Sequence, residues 1–180
     1  NIPVLRIEGV EADDVIGTLA TQAASSGMGV MIISGDKDLT QLITEQITMI
    51  DTMKGITYDR GEVEKKFGVS PGQIIDYLSL VGDASDNIPG VPKVGPKTAC
   101  RLLRQFGSVA ELVRNADEIS GKIGENLRDS LQQIPLSQKL ATIKCDVPLD
   151  VIPTDLRPVQ PNLELLRSLY SHLEFKAWLS

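Results

Sequence analysis

The hydrophobic period of this sequence changes once, near Tyr58, and that switch restricts the fold more than any other feature. Before it, short apolar runs alternate with an amphipathic stretch, the rhythm of an α/β unit; after it the period is helical. Val4-Leu5-Arg6-Ile7 reads as a strand. Glu11 to about Ser26 reads as a helix with Ala12, Ile16, Leu19 and Ala23 on one face and Gly27 as its stop. Val30-Met31-Ile32-Ile33, an apolar run between glycines, predicts a strand buried on both sides of a parallel sheet. Ile47-Thr48-Met49-Ile50 predicts a third strand, and Met53-Lys54-Gly55 a turn into Ile56-Thr57-Tyr58 as a hairpin.

Past Tyr58, a short helix over Glu62 to Phe67 is closed by Gly68, and Ser70-Pro71 opens a helix through Val81. Pro96 to Phe106 follows, closed by Gly107, and Ser108 with Glu111 forms a capping box for the next helix. Further helices are expected around Gly124–Gln133, Ser137–Ile143 and Leu163–Leu173. His172 and Trp178 are assigned to packing. The expected class is α/β: a partial parallel sheet with flanking helices over 1–57, then an all-helical subdomain over 58–180.

Several function classes drop out at this point. Cys100 and Cys145 stand far apart with no CxxC, against a disulfide framework or a thiolate zinc site, and His172 is the single histidine. Any metal is therefore expected on oxygen, which points to magnesium, manganese or calcium. The longest apolar runs are too short to span a bilayer and no signal-peptide pattern opens the chain, so it reads as soluble, intracellular and without a membrane partner. Aromatic residues are 4%, too few for a single-strand stacking platform.

Carboxylates gather in three places. Glu11, Asp13 and Asp14 open the first helix, where acids also simply complement the helix dipole. Asp36 and Asp38 follow the apolar strand, at the carboxyl end where open α/β sheets hold their sites; a solvated loop with an acidic cap is the alternative. Asp83 and Asp86 follow the helix ending at Val81, where acids oppose the dipole and a plain turn does not account for them. The chain carries a net charge of −6; without those seven of its 24 acids, 17 would face 18 basic side chains. Its acidity is thus the acidity of the clusters, and two divalent cations would neutralise four of the seven charges. The negative total does not argue against a phosphate substrate.

Asn87 to Ala99 joins two helices through a run of glycine and proline. Gly90 and Gly95 permit close backbone approach to a ligand, the helix at Pro96 points its N-terminus the same way, and Lys93 and Lys97 add cations. Such a helix-hairpin-helix suits a DNA phosphate held without sequence readout; an ordinary helical hairpin with a stiff turn is the alternative.

Gly9-Val10-Glu11-Ala12-Asp13-Asp14-Val15-Ile16-Gly17, Ser34-Gly35-Asp36-Lys37-Asp38-Leu39 and Gly82-Asp83-Ala84-Ser85-Asp86-Asn87-Ile88-Pro89-Gly90-Val91 closely resemble the 5′-nuclease domains of bacterial DNA polymerase I, within the flap endonuclease and 5′–3′ exonuclease family. The resemblance runs nearly the full length, to Trp178. It implies divalent-metal-dependent hydrolysis of DNA phosphodiesters at 5′ flaps or nicks in primer removal, replication and repair. It places Glu11, Asp13 and Asp14 mainly at a first magnesium or manganese ion, and Asp36, Asp38, Asp83 and Asp86 at a second or its water shell. Glu11, Asp13, Asp14, Asp36 and Asp38 would act in catalysis through the metals. Gly90, Val91, Lys93, Val94, Gly95, Lys97 and Thr98 would hold the duplex backbone, with a potassium ion at the hairpin.

Against the family pattern, the N-terminal third is expected to be missing, with its first strand, two further aspartates and the helical arch. The polymerase domains of the same parent chain would follow Trp178. The piece is accordingly expected to be a weak or inactive nuclease alone, and the parent protein to be cytoplasmic and nucleoid-associated in a bacterium. The rival from another class is a non-catalytic helix-hairpin-helix module that binds duplex DNA. A magnesium-dependent ribonuclease of similar sheet architecture is a weaker rival, which the hairpin disfavours.

Overall fold

The computed structural model describes residues 2–178. Helix α1 (Ala12–Ser25) starts from Glu11 in extended backbone and carries Asp13 and Asp14 in its first turn, where the dipole favours anions. It stops before Gly27, whose φ of 80° a side chain would resist. The chain continues as β1 (Val30–Ile33), a 3-10 turn (Asp38–Leu42), β2 (Ile47–Asp51) and β3 (Ile56–Tyr58). Strand β2 is central, parallel to β1 with Ile33 opposite Ile50, and antiparallel to β3 with Met49 opposite Tyr58. Buried Asp51 fixes that hairpin: its Oδ1 accepts from the Met53 and Lys54 amides at 3.1 Å each.

The helical part follows as α2 (Arg60–Phe67), a 3-10 turn (Pro71–Gln73), α3 (Ile74–Val81), α4 (Pro96–Phe106), α5 (Val109–Arg114), α6 (Gly121–Asp129), α7 (Ile134–Ala141) and α8 (Leu163–His172). Helix α3 is the hub, packed on α4 and α7. Asp76 on α3 accepts from the Val109 amide at 3.0 Å and from Gln138 Nε2 at 2.9 Å, tying α5 and α7 to it. One hydrophobic cluster runs from Ala20, Ile32 and Met49 through Leu78 and Leu80 to Leu103 and Leu127. The sheet and the helices therefore share a core. That continuity brings acids from distant segments to one place.

The α/β class and most element positions agree with the sequence reading, and five expectations need correction. Val4 to Ile7 forms no strand; a strand needs a partner, and among the described residues β1 pairs only with β2. Strand β1 is buried on one side only: Ile32 is 5% exposed, but Met31 and Ile33 are 60% and 68% exposed, because alternate side chains face away from the shared core. The inner face of α1 is Gly17, Thr18, Ala20 and Ala23, and Ala12 is exposed. Residues 143–145 cross over Gly17, whose added Cβ would lie 2.7 Å from Ile143 Cγ2, and this turns the buried stripe. Helices α6 and α7 begin earlier than their patterns suggest. Gly124 lies inside α6 against the Ile119 carbonyl, and Pro135 sits at the start of α7, where its missing amide costs nothing. Finally, His172 and Trp178 are exposed. Trp178 touches Tyr170 at a ring distance of 5.5 Å, and no residue of α8 is buried.

Candidate metal centre

Three turns converge on one cleft of about 430 Å³, lined by Glu11, Asp13, Asp14, Asp36, Asp38 and Asp86, with Ser85 to Ile88 and Leu140 to Ile143 as its other walls. The start of α1 presents the first cluster. The segment leaving β1 presents the second, held by its own turn: the Asp38 amide donates to Asp36 Oδ1 at 2.9 Å. The third follows α3, where Asp83 and Ile88 exchange backbone hydrogen bonds at 2.8 Å and the Ser85 amide donates to Asp83 Oδ1 at 2.8 Å. Asp38, Asp83 and Asp86 each bring one carboxylate oxygen within 4.8 Å of the others.

Such crowding is visible in the acidities. Burial pushes the Asp38 carboxyl up to about 6, with Asp86 and Asp36 adding to the effect and Lys37 opposing it. Burial also raises Asp13, and the charges of Asp36, Glu11, Asp14 and Asp86 raise it further, so all three clusters act on that one group. Asp83 goes the other way. Burial would lift it, but a hydrogen bond from Lys37 and the Ser85 and Asp86 amides hold it below the ordinary carboxylate range. Lys37, against the pull of burial, is raised to about 12 by Asp83 and Asp38. Among the described residues it is the one cation ion-paired inside the cluster. Asp38 Oδ1 is buried and takes no hydrogen bond among the described residues, with Lys37 Nζ as its ion-pair partner 3.1 Å away. An oxygen with an unused lone pair, in an all-carboxylate set, suits a hard divalent cation.

Sequence reasoning missed the clamps that shape this cleft. Gln41 donates to the Ala141 carbonyl at 2.9 Å and accepts from the Ile143 amide at 3.0 Å, joining the turn behind Asp38 to the end of α7. Asp14 Oδ1 accepts from the Lys144 amide at 2.9 Å, and Thr18 Oγ1 accepts from the Val147 amide at 3.1 Å. Nothing local in these residues signals such partners. Lys37, sandwiched between two aspartates in the sequence, was the one detectable sign.

The hairpin candidates divide. Gly95 caps α4 with open space around it, Lys93 and Lys97 are exposed, and Thr98 is half-buried. Val91 and Val94 put their side chains in the core, leaving only backbone for a ligand. Gly90 is required by packing: an added Cβ would lie 2.4 Å from the Val81 carbonyl. The hairpin is braced from behind, where Asn126 donates to the Pro92 carbonyl at 2.7 Å and Ser137 to the Pro89 carbonyl at 2.9 Å. Cys100 and Cys145 are both free. Among the described residues no helix is long and apolar enough to cross a membrane.

Residues 1–68 match the family model of the 5'-3' exonuclease N-terminal resolvase-like domain, and residues 69–164 that of the 5'-3' exonuclease C-terminal SAM fold. The DNA polymerase I of Pseudomonas aeruginosa is 47% identical over 190 residues, covering 99% of this chain and 20% of that protein. The 5'-3' exonuclease of Aquifex aeolicus is 39% identical over 178 residues, covering 99% of this chain and 61% of that protein. The chain thus spans only part of these relatives, a fifth of the polymerase. Among solved structures, the T5 5'-exonuclease with bound divalent zinc ions superimposes with a TM-score of 0.72 at 27% identity, over 77% of this chain and 52% of that one. A T5 flap endonuclease pseudo-enzyme-product complex with DNA and metal ions gives a TM-score of 0.72 at 26% identity, over 77% and 52%.

Proposed function

Because the chain belongs to the 5'-3' exonuclease family, we propose that it is the metal-holding and duplex-gripping part of a structure-selective 5′–3′ exonuclease and flap endonuclease. The observation that carries this reading is the convergence of all three acid clusters on one cleft, with a buried Asp38 oxygen that takes no hydrogen bond among the described residues. Residues 1–57 would supply Glu11, Asp13, Asp14, Asp36 and Asp38, and residues 58–180 Asp83, Asp86 and the hairpin. The donor set, all carboxylate, suits two magnesium or manganese ions. The same reading puts a potassium ion at the hairpin, and DNA with a 5′ flap or nick as substrate. Polymerase domains of the same parent chain, in a bacterial nucleoid, would be its setting.

Bound divalent cations supply charge neutralisation for a phosphodiester and a water acidic enough to attack it near neutral pH. The chain's own residues do the rest. Asp38 and Asp86 offer oxygens inward, while Asp83, with one oxygen on the Ser85 amide and the other on Lys37, orients the lysine rather than standing free. Lys37 offsets part of the cluster's repulsion and keeps the empty cleft foldable. Asp14, anchored to the Lys144 amide, holds the 141–147 segment as a wall of the cleft. Outside it, Lys93 ahead of α4 and Gly95 and Lys97 at its start offer cations and backbone amides, and Thr98 its hydroxyl, to DNA phosphates without reading bases.

Calorimetric titration with magnesium or manganese tests the reading, together with cleavage of a 5′-flap substrate. Binding that Asp38→Asn weakens supports it. A protein that binds duplex but takes up no divalent metal would be the non-catalytic module instead.

A further inference from the structure

We propose that the groove between α2 and α4 is a second seat for the DNA backbone, carrying the duplex beyond the hairpin. The inference rests on the duplex-binding part of the proposed function. The groove encloses about 490 Å³ and is lined by Lys65, Lys66, Lys97, Arg101 and Arg104, with Phe67, Gly68, Pro96 and Cys100 and no carboxylate. Five cations in one concavity, on a chain whose net charge is −6, is a segregation of charge that core packing does not require.

Its geometry is regular. Lys97, Arg101 and Arg104 stand at i, i+4 and i+7 on the exposed face of α4, so they line one side of the helix. They span about 10 Å along its axis, at 1.5 Å per residue. That equals about three base-pair rises of 3.4 Å along a duplex axis. The stripe begins at Lys97 in the first turn of α4, directly after Gly95, so it continues the phosphate path of the hairpin. Across the groove, Lys66 is held in place: its Nζ donates to Tyr58 Oη at 2.8 Å and lies 4.8 Å over the Phe67 ring. Lys65 pairs with Glu62 at 3.0 Å. Among the described residues, no acid pairs with Lys97, Arg101 or Arg104. A lone cation row on a protein surface is often balanced by neighbouring carboxylates; here an external polyanion is the missing counter-charge. With few stacking aromatics in the groove and no readout of base edges built into it, the ligand is the sugar-phosphate backbone of a duplex.

The test is the salt dependence of binding to a random-sequence duplex of about 20 base pairs, followed by anisotropy in EDTA so that no cleavage occurs. Arg101→Gln with Arg104→Gln should lower the slope of log K against log salt by about 1.8, at 0.9 per phosphate contact. From about 50 to 200 mM salt, wild type should therefore lose about 12-fold more affinity than the double variant. Arg101→Lys with Arg104→Lys keeps the charges and should keep the slope, which separates phosphate contact from a folding defect. Calorimetric metal uptake in the cleft should be the same in both pairs of variants. A wild-type protein that binds duplex, with an unchanged slope in the glutamine pair, would overturn the groove while leaving the proposed function standing. A wild-type protein that binds no duplex would overturn both.

Discussion

Asp38→Asn should make the metal-free protein more stable while impairing its use of metal. An ordinary aspartate titrates at 3.8, and Asp38 in the fold at about 6. The native state therefore holds a proton that the unfolded chain has released between those values, and stability falls as pH rises through that window. At 1.36 kcal/mol for each pH unit, charging Asp38 costs the native state about 3 kcal/mol above pH 6. Asparagine has nearly the same shape and no charge to bury. Its advantage over wild type should be nil near pH 4, grow to about pH 6 and stay level above it. For a chain of this size, about 3 kcal/mol corresponds to a Tm higher by about 6–12 °C. Urea unfolding in EDTA from pH 4 to pH 8 measures it directly. With magnesium added, wild type should gain stability by mass action and the variant should gain less. A variant no more stable than wild type at pH 8 without metal would refute the argument, because Lys37 would then already neutralise Asp38 in full.

Gly90→Ala should cost at least about 2 kcal/mol in urea unfolding, since its Cβ would meet the Val81 and Gly82 backbone at 2.4–2.5 Å. Gly95→Val has open space and should unfold at the wild-type midpoint, while duplex affinity falls for every sequence alike. Both losing stability would contradict the packing seen here. Lys37→Gln should release Asp83 toward the ordinary carboxylate range, so that NMR titration of the Asp83 carboxyl shifts upward; an unmoved titration would sink the pairing. Asp36→Asn, made in the intact nuclease domain, should leave duplex binding within about twofold and cut cleavage in magnesium by about tenfold to 100-fold, as flap assays would show.

Much of the site was legible along the chain because its acids come in short runs at element boundaries. Glu11 to Asp14, Asp36 to Asp38 and Asp83 to Asp86 each sit where a turn meets a helix or strand, and boundary chemistry acts over a few residues. Gly27, Gly68 and Gly107 marked helix ends for the same reason, and all three take positive φ. What the sequence could not determine is which surfaces meet. The Gln41 clamp on Ile143 spans 102 residues, and the Asp14 bond to Lys144 spans 130. No local pattern encodes partners so far apart; they follow from the shared core that packs α7 on α3 and lays the 143–147 segment across α1. The same packing decided that Gly90 meets the Val81 and Gly82 backbone, and that Val91 and Val94 turn inward. It also left Met31 and Ile33 in solvent, though their run of four apolar residues had the composition of a strand covered on both sides. Composition sets what a segment can bury, but burial itself is a property of the neighbours, and those are chosen only when the whole chain closes on its core.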